Sequence, residues 1–61
     1  MTQEEIFYTF ETAIEYADAF HRRLAQAGLM ADPENKALIL KTWPIFISCY
    51  GPNTTLYVQQ K

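Results

Sequence analysis

Apolar residues recur every three or four positions between Ile6 and Leu24, and this spacing constrains the fold more than any other feature of the chain. At about 100° per residue they fall on one face of a helix. The face consists of Ile6, Phe10, Ala13, Ile14, Ala17, Phe20 and Leu24, with Phe7 at its edge. The sequence therefore predicts a long amphipathic helix whose apolar face lies in the core.

The limits of this helix are predicted from its flanking residues. Thr2 and Glu5 have the spacing of a capping box, in which each side chain bonds the backbone amide of the other residue. Gly28 is able to adopt the left-handed conformation that ends many helices. The cations of residues 21–23 lie toward that end, where the helix dipole favours positive charge. We therefore expect one helix from about Gln3 to Gly28.

A second, shorter helix is predicted after the long one. Asp32 is a favourable N-cap residue, Pro33 suits the first helical position, and the Trp43-Pro44 pair marks an end. The alternative is a strand over residues 38–42, because Leu-Ile-Leu is an apolar run too short for its periodicity to decide. We favour the helix.

The last third of the chain predicts a β-hairpin. The segments IFISCY and TTLYVQ alternate in β-branched and aromatic content and flank the turn-forming residues GPN. One face of the hairpin would carry Ile45, Ile47, Cys49, Leu56 and Val58, and the other Phe46, Ser48, Tyr50 and Tyr57. The fold class that follows is α+β, with a long N-terminal helix, a short second helix or strand and a C-terminal hairpin.

The size of the chain favours association with a partner. Its 61 residues make a single small domain, residues 1–61, and such a domain buries only about 60% of the surface that its unfolded chain exposes. Small domains are usually reinforced by disulfides, a structural metal or another chain. Because Cys49 and His21 are the only residues of their types, the first two reinforcements are excluded within one chain. A second copy is then the simplest partner.

Aromatic residues suggest where that partner binds. The chain has nine of them, more than one helix and a hairpin can cover, and surplus apolar surface is typical of an interface. We therefore predict a small non-enzymatic interaction or regulatory protein that acts as a homodimer or as a subunit of a larger assembly. The predicted apolar binding residues are Trp43, Phe46, Tyr50 and Tyr57.

Acidic residues support an alternative function. Four of them fall on the side of the long helix opposite the core, namely Glu4, Glu11, Glu15 and Asp18. In size and acidity the chain resembles the small phage proteins that block bacterial defence systems. That resemblance implies an acidic inhibitor that binds the basic surface of a nucleic-acid-handling protein.

Composition excludes several other functions. Five lysines and arginines against seven acids lack the basic excess that direct nucleic-acid binding requires. No apolar stretch approaches the ~20 residues of a membrane span, and no signal-peptide pattern is present, so we expect a cytoplasmic protein. One cysteine, one histidine and two separated glycines fall short of a metal site, a catalytic constellation or a phosphate loop. We expect no cofactor, no metal and no enzymatic activity.

Overall fold

The computed structural model describes residues 1–58, which form an all-helical fold. Four helices follow one another: α1 over Gln3–Tyr16, α2 over Ala19–Met30, α3 over Pro33–Thr42 and α4 over Ile45–Tyr50. The Cα radius of gyration is 10.0 Å, close to the value of about 10.5 Å expected for a folded chain of this length. The predicted α+β class is wrong, because no strand occurs within residues 1–58.

The start of α1 is confirmed. The Glu5 amide donates to Thr2 Oγ1 at 3.0 Å, and the Thr2 amide donates to Glu5 Oε1 at 2.9 Å. These two bonds satisfy two backbone N–H groups at the helix start, where no preceding turn supplies carbonyl acceptors. Along the helix, Ile6, Phe10 and Ala13 are buried, as the apolar spacing predicts.

The prediction of one long helix is wrong, because the chain breaks at Ala17 and Asp18. Both residues are extended, with ψ angles of 167° and 173°, and α2 begins at Ala19. The break allows α2 to fold back along α1, so that the apolar faces of the two helices cover each other. A single straight helix would leave most of that face in water.

Gly28 does not end the helix in the predicted way. It lies inside α2, which continues to Met30, and no residue in the range 1–58 has a positive φ. Gly28 instead lies against a ring of the core: a Cβ at this position would be 2.7–2.9 Å from ring atoms of Phe10. Phe10 is fully buried, so the missing side chain of Gly28 leaves room for it.

The second predicted helix is confirmed as α3, and the alternative strand over residues 38–42 does not form. The helix begins at Pro33 and ends at Thr42, directly before Trp43. Proline at the first position fixes a helical φ without the loss of a hydrogen bond. The start signal at Pro33 therefore predicted the correct element, whereas the apolar run did not distinguish a helix from a strand.

The predicted β-hairpin is wrong. Its first segment forms α4, and its second segment lies in turns that begin at Gly51; Gln59 lies outside the described residues. Phe46 is fully buried and Tyr50, four residues later, is half-buried, so burial follows the helical period and does not alternate. Pro44 precedes α4 in a right-handed helical conformation, with φ −60° and ψ −15°, which directs the chain into a helix.

The segment after α4 returns to α1. The Val58 amide donates to Oγ1 of the buried Thr12 at 3.0 Å, and the Tyr57 ring packs edge to face on Tyr8 with centroids 6.3 Å apart. This segment covers a side of α1 that α2 leaves open. The buried apolar residues at the centre of the molecule are Ile6, Phe10, Ala13, Ala17, Ala25, Leu40 and Phe46.

Candidate interaction surfaces

The four apolar residues predicted to bind a partner do not form one surface. Phe46 is fully buried, with its ring centroid 5.6 Å from that of Phe10. Trp43, Tyr50 and Tyr57 are half-buried and lie on different elements: the end of α3, α4 and the C-terminal segment. Phe46 therefore contributes to the core of a single chain, while the other three remain partly accessible.

Tyr57 is half-buried, and its hydroxyl is buried. Within residues 1–58 this hydroxyl has no hydrogen-bond partner. Burial raises the pKa of the Tyr57 phenol above its ordinary value, and the nearby carboxylates of Glu5 and Glu4 add to the rise. The ring belongs to the contact between the C-terminal segment and α1.

Three of the predicted acidic residues lie on one side of α1. Glu4 and Glu15 are exposed and Glu11 is half-buried, and the helical period places all three within about 40° of one another. Within residues 1–58 none of them forms an ion pair with a lysine or arginine. Direct contacts therefore leave these three charges unneutralised.

Asp18, the fourth predicted acid, leaves this row because the helix breaks there. It is the N-cap of α2, and its Oδ1 is hydrogen-bonded to Nδ1 of His21 at 2.6 Å. This bond is the main cause that lowers the pKa of the Asp18 carboxyl below its ordinary value. Arg22 does not pair with Asp18 but donates to the carbonyl of Ala17 at 3.2 Å. The spacing of three residues between Asp18 and His21 is the sequence signal that indicates such a pair.

Two aromatic rings lie next to His21, an arrangement that the sequence did not predict. The imidazole centroid lies 5.0 Å from the ring of Phe20 and 5.8 Å from that of Phe46, and Phe20 lies 6.1 Å from Trp43. These separations are typical of edge-to-face aromatic contacts. Phe20 was predicted in the core but is 56% exposed. The prediction assumed that the helix continues unbroken from α1, and the break before α2 changes the direction in which Phe20 points.

Large apolar side chains remain exposed on several elements. Those of residues 1–58 that are more than a third exposed are Met1, Phe7, Tyr16, Phe20, Met30, Leu38, Ile45, Ile47 and Leu56. Met1 and Ile47 border a groove of about 480 Å³ between the start of α1, α3 and α4, which Ala37, Leu40 and Lys41 also line. The groove brings exposed apolar groups from separate elements together.

The outer face of α3 carries a smaller hollow next to this groove. Its volume is about 360 Å³, and it is lined by Glu34, Asn35, Ala37, Leu38 and Lys41. Ala37 and Lys41 line the groove as well, so the two hollows adjoin across α3. At 57%, Leu38 is among the most exposed apolar side chains of the helix faces. The sequence signal for this face is the seven-residue spacing of Glu34 and Lys41. Neither residue was among the acidic and aromatic binding residues predicted from the sequence.

The described residues offer little chemistry besides these surfaces. Residues 1–58 contain no group of three or more histidine, cysteine, aspartate or glutamate side chains placed to hold a metal ion. Cys49 is an exposed free thiol whose Sγ lies 3.9 Å from the Ser48 hydroxyl. In the same part of the chain, no helix has the length and apolar content needed to cross a membrane.

Comparisons of the chain with protein-family models, with curated proteins and with solved structures found no match. What the protein does must therefore be inferred from its own surfaces.

Proposed function

We propose that the protein is a non-enzymatic interaction protein that acts as a homodimer or as a subunit of a larger assembly. The observation that supports this most directly is the apolar groove, which Met1 and Ile47 border with 53% and 42% of their surfaces exposed. Contiguous exposed apolar surface is typical of protein–protein contact sites.

The compactness of the single chain strengthens this proposal. The core is complete without the exposed groups, since Phe10 and Phe46 are fully buried within one chain. The apolar side chains of the groove are therefore additional to those that the fold requires. Covering them with another chain would contribute about 25 cal/mol for each Å² of apolar surface removed from water.

A cytoplasmic location and the lack of direct nucleic-acid binding are part of the same proposal. Cys49 is a free thiol, which suits a reducing compartment. The net charge of −2 disfavours direct contact with phosphates. Partners of this protein are accordingly proteins.

Solution mass tests the proposal. We expect light scattering at micromolar concentrations to give a mass above that of one chain, and Ile47→Ser to lower it by removing an apolar group from the groove. Leu56→Ser is the matched control, because Leu56 is 39% exposed against 42% for Ile47 but does not line the groove. A mass equal to one chain at every concentration would reject the homodimer.

A second candidate function, an acidic inhibitor of the phage anti-defence type, is favoured by the unpaired glutamates of α1. Glu4, Glu11 and Glu15 form no ion pair with lysine or arginine in residues 1–58, so their charges are available to a basic groove. Binding to a nucleic-acid-binding protein would then fall steeply with salt, because exposed charges are screened beyond about 8 Å at physiological ionic strength. Combining Glu11→Lys with Glu15→Lys should abolish it. Binding that neither salt nor this reversal weakens would exclude the candidate.

A further inference from the structure

The outer face of α3 is complementary to itself in charge. Glu34 lies in the first turn of the helix and Lys41 in the last, seven residues and about 10.5 Å apart along the same face. Ala37 and Leu38 lie midway between them. All four side chains are exposed and line the same hollow.

Two copies of this face match when they meet in opposite directions. With a two-fold axis between Ala37 and Leu38, Glu34 of one copy stands opposite Lys41 of the other, and Ala37 and Leu38 each meet their own counterpart beside the axis. Each carboxylate then faces an ammonium group, and the centre between the two pairs is apolar. In a two-fold interface of this kind every contact occurs twice.

The charged groups at the two ends of the face are free for this role. Within residues 1–58 neither Glu34 nor Lys41 forms an ion pair or a side-chain hydrogen bond. Lys36 on the same helix differs, because its Nζ donates to the carbonyls of Leu29 and Ala31 at 3.2 and 2.6 Å. One lysine of α3 thus holds the fold together, while Lys41 has no such contact.

We propose that the chain dimerises through α3, antiparallel to its counterpart in a second copy, with two Glu34–Lys41 ion pairs flanking a centre of Ala37 and Leu38. The inference rests on the proposed function, because it identifies the partner as a second copy and assigns the interface to one helix.

The contact extends from α3 into the adjoining groove. An interface of standard size buries about 800 Å² on each partner, which is about a fifth of the 4040 Å² surface of this chain. Such an area reaches beyond one helix of 10 residues. Met1 and Ile47 lie on the side of α3 where the groove begins, so their exposed side chains supply apolar surface next to the ion pairs.

Charge exchange between two variants tests the arrangement. Glu34→Lys gives a chain with ammonium groups at both ends of the face, and Lys41→Glu gives one with carboxylates at both ends. Each variant alone should dimerise about tenfold more weakly than the wild type, because two attractive exposed pairs become two repulsive ones. An equimolar mixture should recover dimers of wild-type affinity, since every pair between the two different chains is again attractive. Sedimentation equilibrium measures all three dissociation constants.

Arg23→Glu is the matched control for Lys41→Glu, because it reverses the charge of an exposed residue of α2, outside the proposed interface, and should leave the dissociation constant unchanged. Recovery in the mixture also separates a lost interface from a lost fold, since mixing does not rescue a chain that is unstable by itself. A wild-type dimer that neither variant weakens, or a mixture without recovery, overturns the α3 interface and leaves the proposed function standing. A wild type that stays a single chain at every concentration rejects the homodimer itself.

Discussion

Gly28 of α2 has no Cβ, and this allows α2 to approach the Phe10 ring of α1 closely. Gly28→Ala should destabilise the protein by about 1–2 kcal/mol, because overpacking a core typically costs about 1–3 kcal/mol. That cost exceeds the gain of about 1 kcal/mol or less that alanine offers over glycine in a helix. The Phe10 ring cannot move away, since it is fully buried. Urea unfolding measures the change.

A double-mutant cycle supplies the control for this prediction. In a Phe10→Leu background the aromatic ring that a Cβ on Gly28 would meet at 2.7–2.9 Å is gone. Gly28→Ala should therefore cost less there, because the two sites are in direct contact and their effects are not additive. An equal cost in both backgrounds would show that Gly28 is constrained by something other than this ring.

Thr9 and Thr12 are a matched pair of fully buried threonines on α1. Each hydroxyl donates at 2.7 Å to the carbonyl four residues earlier, but only Thr12 also accepts a bond from a distant residue, the Val58 amide. Thr12→Val should therefore destabilise the protein by about 1–2 kcal/mol, the usual effect of removing one partner of a buried hydrogen bond. Thr9→Val should cost less than Thr12→Val, because it leaves no distant backbone donor without a partner. Equal effects in thermal unfolding would contradict this role of Thr12.

At the scale of the elements, the Asp18–His21 bond stabilises the start of α2 in a pH-dependent way. The bond lowers the folded-state pKa of Asp18 below the ordinary value of 3.8, so its contribution is present above that pH and is lost as the pH falls through the lower folded-state value. Asp18→Asn should therefore be less stable than the wild type at neutral pH, with a difference that shrinks in acid.

Asp32→Asn is the control for this prediction. Like Asp18, Asp32 is an N-cap residue whose side chain bonds no backbone amide of its helix. Its carboxylate instead accepts a hydrogen bond from the side chain of Asn35, three residues later. Both variants remove a negative charge from a helix N-terminus, so only the difference between them reports on His21. Urea midpoints measured across the acid range provide the comparison, and a difference that does not depend on pH would count against the pair.

Sequence patterns predicted the helix starts better than the interruptions. The capping box of Thr2 and the proline of α3 are local signals, and both were confirmed by the structure. The break at Asp18 was missed because the apolar spacing continues from Ala17 to Leu24, although aspartate is a residue type that favours the N-cap position. Tertiary packing favours the break, because α2 covers the apolar face of α1 only if the chain turns back.

The missed helix α4 shows the limit of a short apolar pattern. Six residues with alternating branched and aromatic side chains fit a strand and a helix equally well. Phe46 and Tyr50 decide in favour of the helix, since their spacing of four lets both face the core. The helical period alone predicted where the acidic side chains of α1 lie. The face of Glu34 and Lys41 could not be predicted in this way, because it is recognised only once α3 is known to be a helix that leaves this side exposed.

At the scale of the whole molecule, the core is so small that one ring carries a large share of the stability. A domain of 61 residues has a stability of about 3–9 kcal/mol at 0.05–0.15 kcal/mol per residue. Phe46→Ala should remove about 3–5 kcal/mol, because Phe46 is fully buried between Phe10 and His21. Thermal unfolding followed by circular dichroism should show a melting temperature far below that of the wild type.

Ile45→Ala is the comparison for this variant, since Ile45 precedes Phe46 on α4 but is 37% exposed. It should cost clearly less than Phe46→Ala, because the cost of a large-to-small change depends on how completely the side chain is buried, and it should keep the helical signal. If Phe46→Ala stays as helical and as resistant to heat as Ile45→Ala, the core does not depend on this ring.

The two-residue turn at Ala17 and Asp18 also has a consequence for the order of folding. Because closing a short loop costs little chain entropy, the paired helices α1 and α2 should form in the transition state. The contacts of Phe10 with Phe46 and of Thr12 with Val58 close far longer loops and should form after it. Substitutions between α1 and α2 should then slow folding, with φ-values well above those of substitutions in α4, which should mainly speed unfolding.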